Sequence, residues 1–76
     1  MTNPAHRIRI LIVDDHAVVR TGLRMLIESQ PTLMMAGEAP DRSTALAIAA
    51  REPLDIILLD LDLGQDNGLD LSLIHI

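Results

Sequence analysis

The sequence predicts an α/β fold in which a doubly wound parallel sheet is built in the order β-α-β-α-β. Short apolar runs that are typical of strands alternate with segments of helical periodicity. The runs are nearly continuous, as expected for strands that are covered on both faces of a sheet. Connections between parallel strands are almost always right-handed, so this order also fixes the hand of both crossovers.

A pair of acids separates the first strand from the first helix. The strand is expected at residues 8–13, a run rich in β-branched residues that stops at Asp14 and Asp15. Apolar residues then recur at three- and four-residue spacing, which predicts an amphipathic helix that ends before Pro31. These apolar residues are Val19, Leu23, Leu26 and Ile27.

The second strand is short, and a helix follows it. The strand is expected at residues 33–36 and ends at Gly37. Asp41 or Ser43 is expected to cap the helix, which runs through Arg51, because both residue types accept hydrogen bonds from the first helical turn.

The third strand is the most hydrophobic segment of the chain, and it also stops at an acid. It is expected at residues 55–59, directly before Asp60. A loop with Asn67 and Gly68 follows, and a third helix is expected from Leu69 onward.

The composition is that of one small domain, and it excludes several classes of function. The 76 residues are 49% hydrophobic, which argues against intrinsic disorder. A net charge of -5 and the absence of aromatic residues argue against nucleic-acid binding by this segment. The absence of cysteine excludes disulfides, thiolate metal sites and cysteine nucleophiles.

The sequence contains neither a signal peptide nor a membrane span. Residues 1–7 are predicted to be a disordered leader without the apolar core and cleavage site of a signal peptide. The longest apolar run, residues 56–59, is far shorter than the roughly 20 residues that cross a bilayer. The cytoplasm is therefore the expected location.

Acids follow two strands whose carboxyl ends are expected at the same edge of the sheet, where open α/β sheets bind ligands. Asp14 and Asp15 follow the first strand, and Asp60 and Asp62 follow the third. Converging carboxylates repel one another, and a hard cation such as Mg²⁺ relieves that repulsion. The alternative for Asp15 is a helix cap. The gathering of acids favours a cation site that could bind a phosphate beside a carboxylate nucleophile.

Several segments of the chain together form a recognisable set of motifs. They are Ile8–His16 with its acid pair and histidine, Arg20, Gly22 and Leu23, Gly37–Ala39, Ile56–Leu63, and Asn67–Leu69. In this order they resemble the receiver domain of two-component response regulators, of the NarL/FixJ type. The resemblance implies a flavodoxin-like fold with strand order 2-1-3 over residues 8–71, truncated after the third strand so that strands 4 and 5 are missing.

The resemblance also implies a role for each acid. Asp60 would be the phosphoacceptor, taking a phosphoryl group from a phosphohistidine of a sensor histidine kinase. Asp15 would bind Mg²⁺ directly, Asp14 mostly through a water, and Asp62 through its backbone carbonyl. The domain would be a signalling switch rather than an enzyme. Its parent would bind DNA through a C-terminal helix-turn-helix domain, whereas this segment would bind neither nucleic acid nor membrane.

The family pattern has two further functional residues that have no counterpart here. One is a Ser or Thr on the fourth strand, and the other is a Lys on the fifth, whereas all six basic residues of this chain are arginine. Without these strands, residues 56–59 would form an exposed hydrophobic edge that favours aggregation. The chain alone is therefore expected to be inactive and partly unfolded, oligomeric or insoluble.

Two other functions are compatible with parts of the sequence. Asp60 and Asp62 fit the Asp-x-Asp motif of haloacid dehalogenase-type phosphatases, with Asp60 as nucleophile and Asp62 as general acid/base. That assignment leaves Asp14 and Asp15 unexplained. The other alternative is a receiver-like interaction module that never takes a phosphate.

Residues 72–76 are predicted to be a non-native tail. Leu71–Ile76 back-translates with ordinary codons to CTG TCT CTT ATA CAC ATC, which resembles the start of the transposon end used to tag sequencing libraries. We therefore expect the genomic DNA to diverge from this sequence after the Leu71 codon. Sequencing the intact gene tests this, and a gene that encodes Ser-Leu-Ile-His-Ile followed by an ordinary receiver continuation contradicts it.

Overall fold

The described part of the chain is a four-stranded sheet with helices on its two faces. The computed structural model describes residues 7–60 and 71–75. The elements are β1 (Ile8–Asp14), α1 (Ala17–Glu28), β2 (Leu33–Ala39), α2 (Arg42–Arg51), β3 (Ile56–Asp60) and β4 (Leu71–His75). Within these residues, neither helix combines the length and the hydrophobicity that a bilayer span requires.

The sheet has the order β2-β1-β3-β4, and β1 pairs in parallel with both β2 and β3. The predicted doubly wound sheet and its 2-1-3 order are therefore confirmed. Alternate residues of β1 serve the two faces, as the period of a strand requires. Ile10 and Ile12 pack with Ile27 of α1, whereas Leu11 and Val13 pack with Ile48 of α2.

Strand β2 continues three residues beyond its predicted end, so the expectation that Gly37 ends it is wrong. The register shifts between Ile10, which pairs with Met35, and Leu11, which pairs with Gly37. A Cβ on Gly37 would lie 3.3 Å from Ile48 Cγ2. Glycine at this position therefore allows α2 to pack closely on the strand, and it does not form a turn here.

The expectation of a helix over residues 71–75 is also wrong, because they form β4 antiparallel to β3. Ile56 pairs with His75, and Asp60 pairs with Leu71. The physical reason is that β1 occupies only one edge of β3, and unpaired backbone groups on the other edge favour a further strand. The prediction that residues 56–59 form a bare edge is corrected by the same pairing.

Asp41, rather than Ser43, caps α2. Its Oδ1 accepts a hydrogen bond from the Thr44 backbone N–H at 2.8 Å and another from Ser43 Oγ at 3.2 Å. The bond from the Thr44 backbone is the main reason why the pKa of Asp41 lies below its usual range. The carboxylate form therefore stabilises the start of this helix.

We expect the cap to make stability depend on pH. Because the pKa of Asp41 is lowered by folding, its contribution is present above the ordinary aspartate pKa of about 3.9. It is lost as the pH falls from there through the lower pKa of the folded chain. D41N is the matched control, since asparagine caps helices but does not titrate. Urea unfolding at several pH values should show the advantage of wild type over D41N shrinking in acid, and a constant difference would contradict the assignment.

We expect Leu11→Ala to reduce the free energy of unfolding by about 2–5 kcal/mol, because it opens a cavity in the central strand. Leu11 has no exposed surface, whereas Leu46 on α2 is 64% exposed. Leu46→Ala is therefore the control, with an expected change below about 0.5 kcal/mol. Urea unfolding followed by circular dichroism measures both, and equal losses would contradict the described core.

Candidate functional site

The candidate site lies at the carboxyl ends of β1 and β3. Asp14 and Asp60 are the last residues of these strands, and they are partners in the parallel register. Neighbouring strands run about 4.8 Å apart, so the two acids occupy adjacent positions at this edge. The sequence-based expectation that these strand ends meet is supported at the level of the backbone.

Asp14 is the one charged residue that is buried among those whose burial is described, residues 7–59. Its Oδ1 accepts a hydrogen bond from the His16 backbone N–H at 2.8 Å. Its Oδ2 is buried and has no hydrogen-bond partner among the described side chains. A buried carboxylate oxygen without a partner costs at least about 1–3 kcal/mol, so this position favours a cation or another donor.

Asp15 and His16 complete a compact group of potential ligands beside Asp14. The Nδ1 atom of His16 lies 2.9 Å from Asp15 Oδ1 and 3.4 Å from Asp14 Oδ1. One ligand atom from each of the three residues lies within 4.8 Å of the others. Asp15 is half-exposed, so this group is open to solvent on one side while Asp14 closes it on the other.

The helix-cap alternative for Asp15 is not supported by the geometry. His16 occupies the N-cap position of α1, and its side chain makes no capping hydrogen bond. His16 therefore occupies the cap position of α1 without forming a capping bond. Asp15 precedes the cap, and its carboxylate is directed to His16.

A hard divalent cation fits these residues. The unpartnered Oδ2 of Asp14 and the adjacent carboxylate of Asp15 offer the oxygen ligands that Mg²⁺ prefers. Asp60 is placed beside them by its register. Asp62 lies outside the described residues, so the role expected for its backbone carbonyl stays a prediction.

Arg20 of α1 also reaches this edge of the sheet. Its Nη1 donates to the backbone carbonyl of Asp14 at 2.7 Å, and its Nε donates to Glu38 Oε1 at 3.3 Å. Arg24, one turn further along the helix, donates to Glu38 Oε2 at 2.9 Å. Sequence reasoning gave Arg20 no role at the acid pair. The spacing of the two arginines on one helix face was the available signal, but their acceptors depend on the tertiary fold.

Comparisons with known proteins give a consistent result. The family model described as the response regulator receiver domain matches residues 10–73. The chain is 42% identical over 62 residues to the nitrate/nitrite response regulator protein NarP of Escherichia coli K12. The aligned residues cover 82% of this chain and 29% of that protein. It is 40% identical over 63 residues to the transcriptional regulatory protein LiaR of Bacillus subtilis 168, covering 83% and 30% respectively.

A relative whose name describes an enzyme is also similar to the chain. The chain is 39% identical over 64 residues to a protein-glutamate methylesterase/protein-glutamine glutaminase of Pyrococcus abyssi, covering 84% of the chain and 17% of that protein. The chain thus spans 30% or less of the length of these curated relatives. No solved structure gave a significant match.

Proposed function

The chain belongs to the response regulator receiver domain family, and from this premise we propose that Asp60 accepts a phosphoryl group from a phosphohistidine of a sensor histidine kinase. The resemblance to NarL-type response regulators is confirmed by the relatives. The observation that carries the proposal is the buried Asp14, whose Oδ2 lacks a described partner and whose strand position is paired with Asp60.

The proposed reaction is a phosphoryl transfer to a carboxylate. An oxygen of Asp60 attacks phosphorus as the P–N bond to the kinase imidazole breaks, and the imidazole leaves with the electron pair and takes up a proton. The product is an acyl phosphate on Asp60. Attack by water on phosphorus later releases inorganic phosphate and restores the carboxylate. The domain is thereby a phosphorylation switch rather than an enzyme in its own right.

The acids of the site would hold Mg²⁺, with Asp14, Asp15 and Asp60 supplying carboxylate oxygens and Asp62 its backbone carbonyl. When bound, Mg²⁺ would neutralise the negative charge on the phosphoryl oxygens. Burial of Asp14 keeps one carboxylate fixed at the floor of the site, while the half-exposed Asp15 leaves an approach from solvent. Mutual repulsion of these acids favours the cation before the phosphoryl group arrives.

The parent protein is proposed to be a transcription regulator of the cytoplasm. The names of the relatives in Escherichia coli and Bacillus subtilis describe response and transcriptional regulators. A C-terminal helix-turn-helix domain would then bind DNA, since the acidic segment described here carries a net charge of -5. The sensor kinase is the other proposed partner.

The 76-residue chain alone is proposed to be inactive. The family pattern pairs the phosphoryl group with a lysine and a Ser or Thr from later strands, and this chain contains no lysine. Membership of the receiver family argues against the phosphatase alternative. That alternative also leaves Asp14 and Asp15 without a function. The module that never takes a phosphate remains the competing hypothesis.

We expect Mg²⁺ and acetyl phosphate to give a phosphoryl adduct on the receiver domain encoded by the intact gene, detected by intact mass. D60N should abolish the adduct because it removes the nucleophile. D14N should slow its formation by about tenfold or more, because it weakens the cation site. The 76-residue chain, treated in the same way, should give no adduct or far less.

Asp62→Ala is the control, because it leaves the nucleophile and the acid pair in place. It should preserve most phosphorylation in a receiver, in which only the backbone carbonyl of this residue is used, but it would destroy an Asp-x-Asp phosphatase. A folded wild-type domain that gains no adduct contradicts the proposal and favours the interaction module.

A further inference from the structure

Arg20 connects three elements at a single point. From α1 it donates to the last carbonyl of β1, that of Asp14, and to Glu38 near the end of β2. Its side chain is 20% exposed, and that of Glu38 is 29% exposed. Because these charge-assisted hydrogen bonds are partly buried, each is stronger than an ion pair that is fully exposed to solvent.

The carbonyl that Arg20 binds belongs to the peptide unit between Asp14 and Asp15. Rotation of that unit would move both carboxylates relative to each other. The turn that follows is held on its other side by the hydrogen bond from the His16 backbone N–H to Asp14 Oδ1. The peptide unit is therefore fixed by one bond to its carbonyl and by a second bond across the turn.

We infer that Arg20 is a positioning residue, which sets the relative orientation of Asp14 and Asp15 by anchoring the peptide unit between them. Glu38 orients Arg20 for this task, and Arg24 in turn holds Glu38. The part of the inference that concerns cation binding rests on the proposed function. Residues that orient ligands commonly change metal affinity without touching the ion.

Charge and positioning predict opposite effects, which makes the inference testable. Removing a positively charged arginine side chain near an acidic site strengthens the binding of a divalent metal ion by electrostatics alone. Loss of positioning weakens it. Arg24 is the matched control, since it carries the same charge on the same helix and binds the same glutamate. Among the described contacts, it makes no bond to Asp14.

The experiment compares wild type, Arg20→Ala, Arg20→Lys and Arg24→Ala in the receiver domain encoded by the intact gene, the same protein as in the phosphorylation test. Mg²⁺ alone is titrated while the backbone amide signals of Asp15 and His16 are followed by NMR. We expect Arg20→Ala to raise the Mg²⁺ dissociation constant about tenfold. Arg24→Ala should leave it within about twofold. Arg20→Lys should lie between them, because one ammonium group replaces two donors that act in different directions.

A second measurement needs no metal. Hydrogen exchange of the His16 amide, which is bonded to Asp14 Oδ1, should be about tenfold faster in Arg20→Ala than in Arg24→Ala. Circular dichroism checks that each variant is folded. If Arg20→Ala unfolds, Arg20→Lys decides the matter, and wild-type affinity and exchange in that variant overturn the inference.

The outcomes separate this inference from the proposed function. Mg²⁺ binding that is equal or tighter in Arg20→Ala, with unchanged exchange at His16, overturns the role of Arg20 but leaves the metal site intact. A folded wild-type receiver domain that binds no Mg²⁺ contradicts the proposed function. The metal-free exchange rates then still decide whether Arg20 positions the turn.

Discussion

The candidate site depends on the burial of one carboxylate, that of Asp14, at the end of the central strand. Leu11, Ile12 and Val13 drive β1 into the middle of the sheet, where both faces are covered. The next residue is Asp14, so the strand carries a charge out of water. Such a charge requires compensation, and the turn after β1 supplies only part of it through the His16 amide. The remaining oxygen has no described partner, and its burial favours a positive group at this edge of the sheet.

The fold was predictable where short-range patterns and tertiary packing agree. The apolar runs before Asp14 and Asp60 predicted two buried parallel strands, and both are found side by side. The order 2-1-3 was predicted from the resemblance to receiver domains. The cap of α2 was limited to two residues, Asp41 and Ser43, and geometry selected the first. The close pairing of the two strand-ending acids followed from the same reasoning.

The rest depended on contacts that local sequence does not encode. Glycine is common at strand ends, which is why Gly37 was expected to end β2. In the structure it lies inside the strand, where the absence of a side chain leaves room for Ile48. The sequence before residue 71 has a pattern typical of a helix start, but residues 71–75 pair with the free edge of β3 instead. The spacing of Arg20 and Arg24 on one helix face did not reveal the role of Arg20, because its acceptors on β1 and β2 are distant in sequence from one another.

The register shift in β2 has a consequence for which side of the sheet each residue serves. Met35 packs on the α1 side, and strict alternation would place Glu38 on the opposite side. The extra residue, Ala36, reverses the phase, so that Ala39 packs on the α2 side and Glu38 meets the arginines of α1. A relative with one residue fewer at this point could present the same two side chains from a regular strand. The length of this strand and the chemistry of its final residues can therefore vary independently.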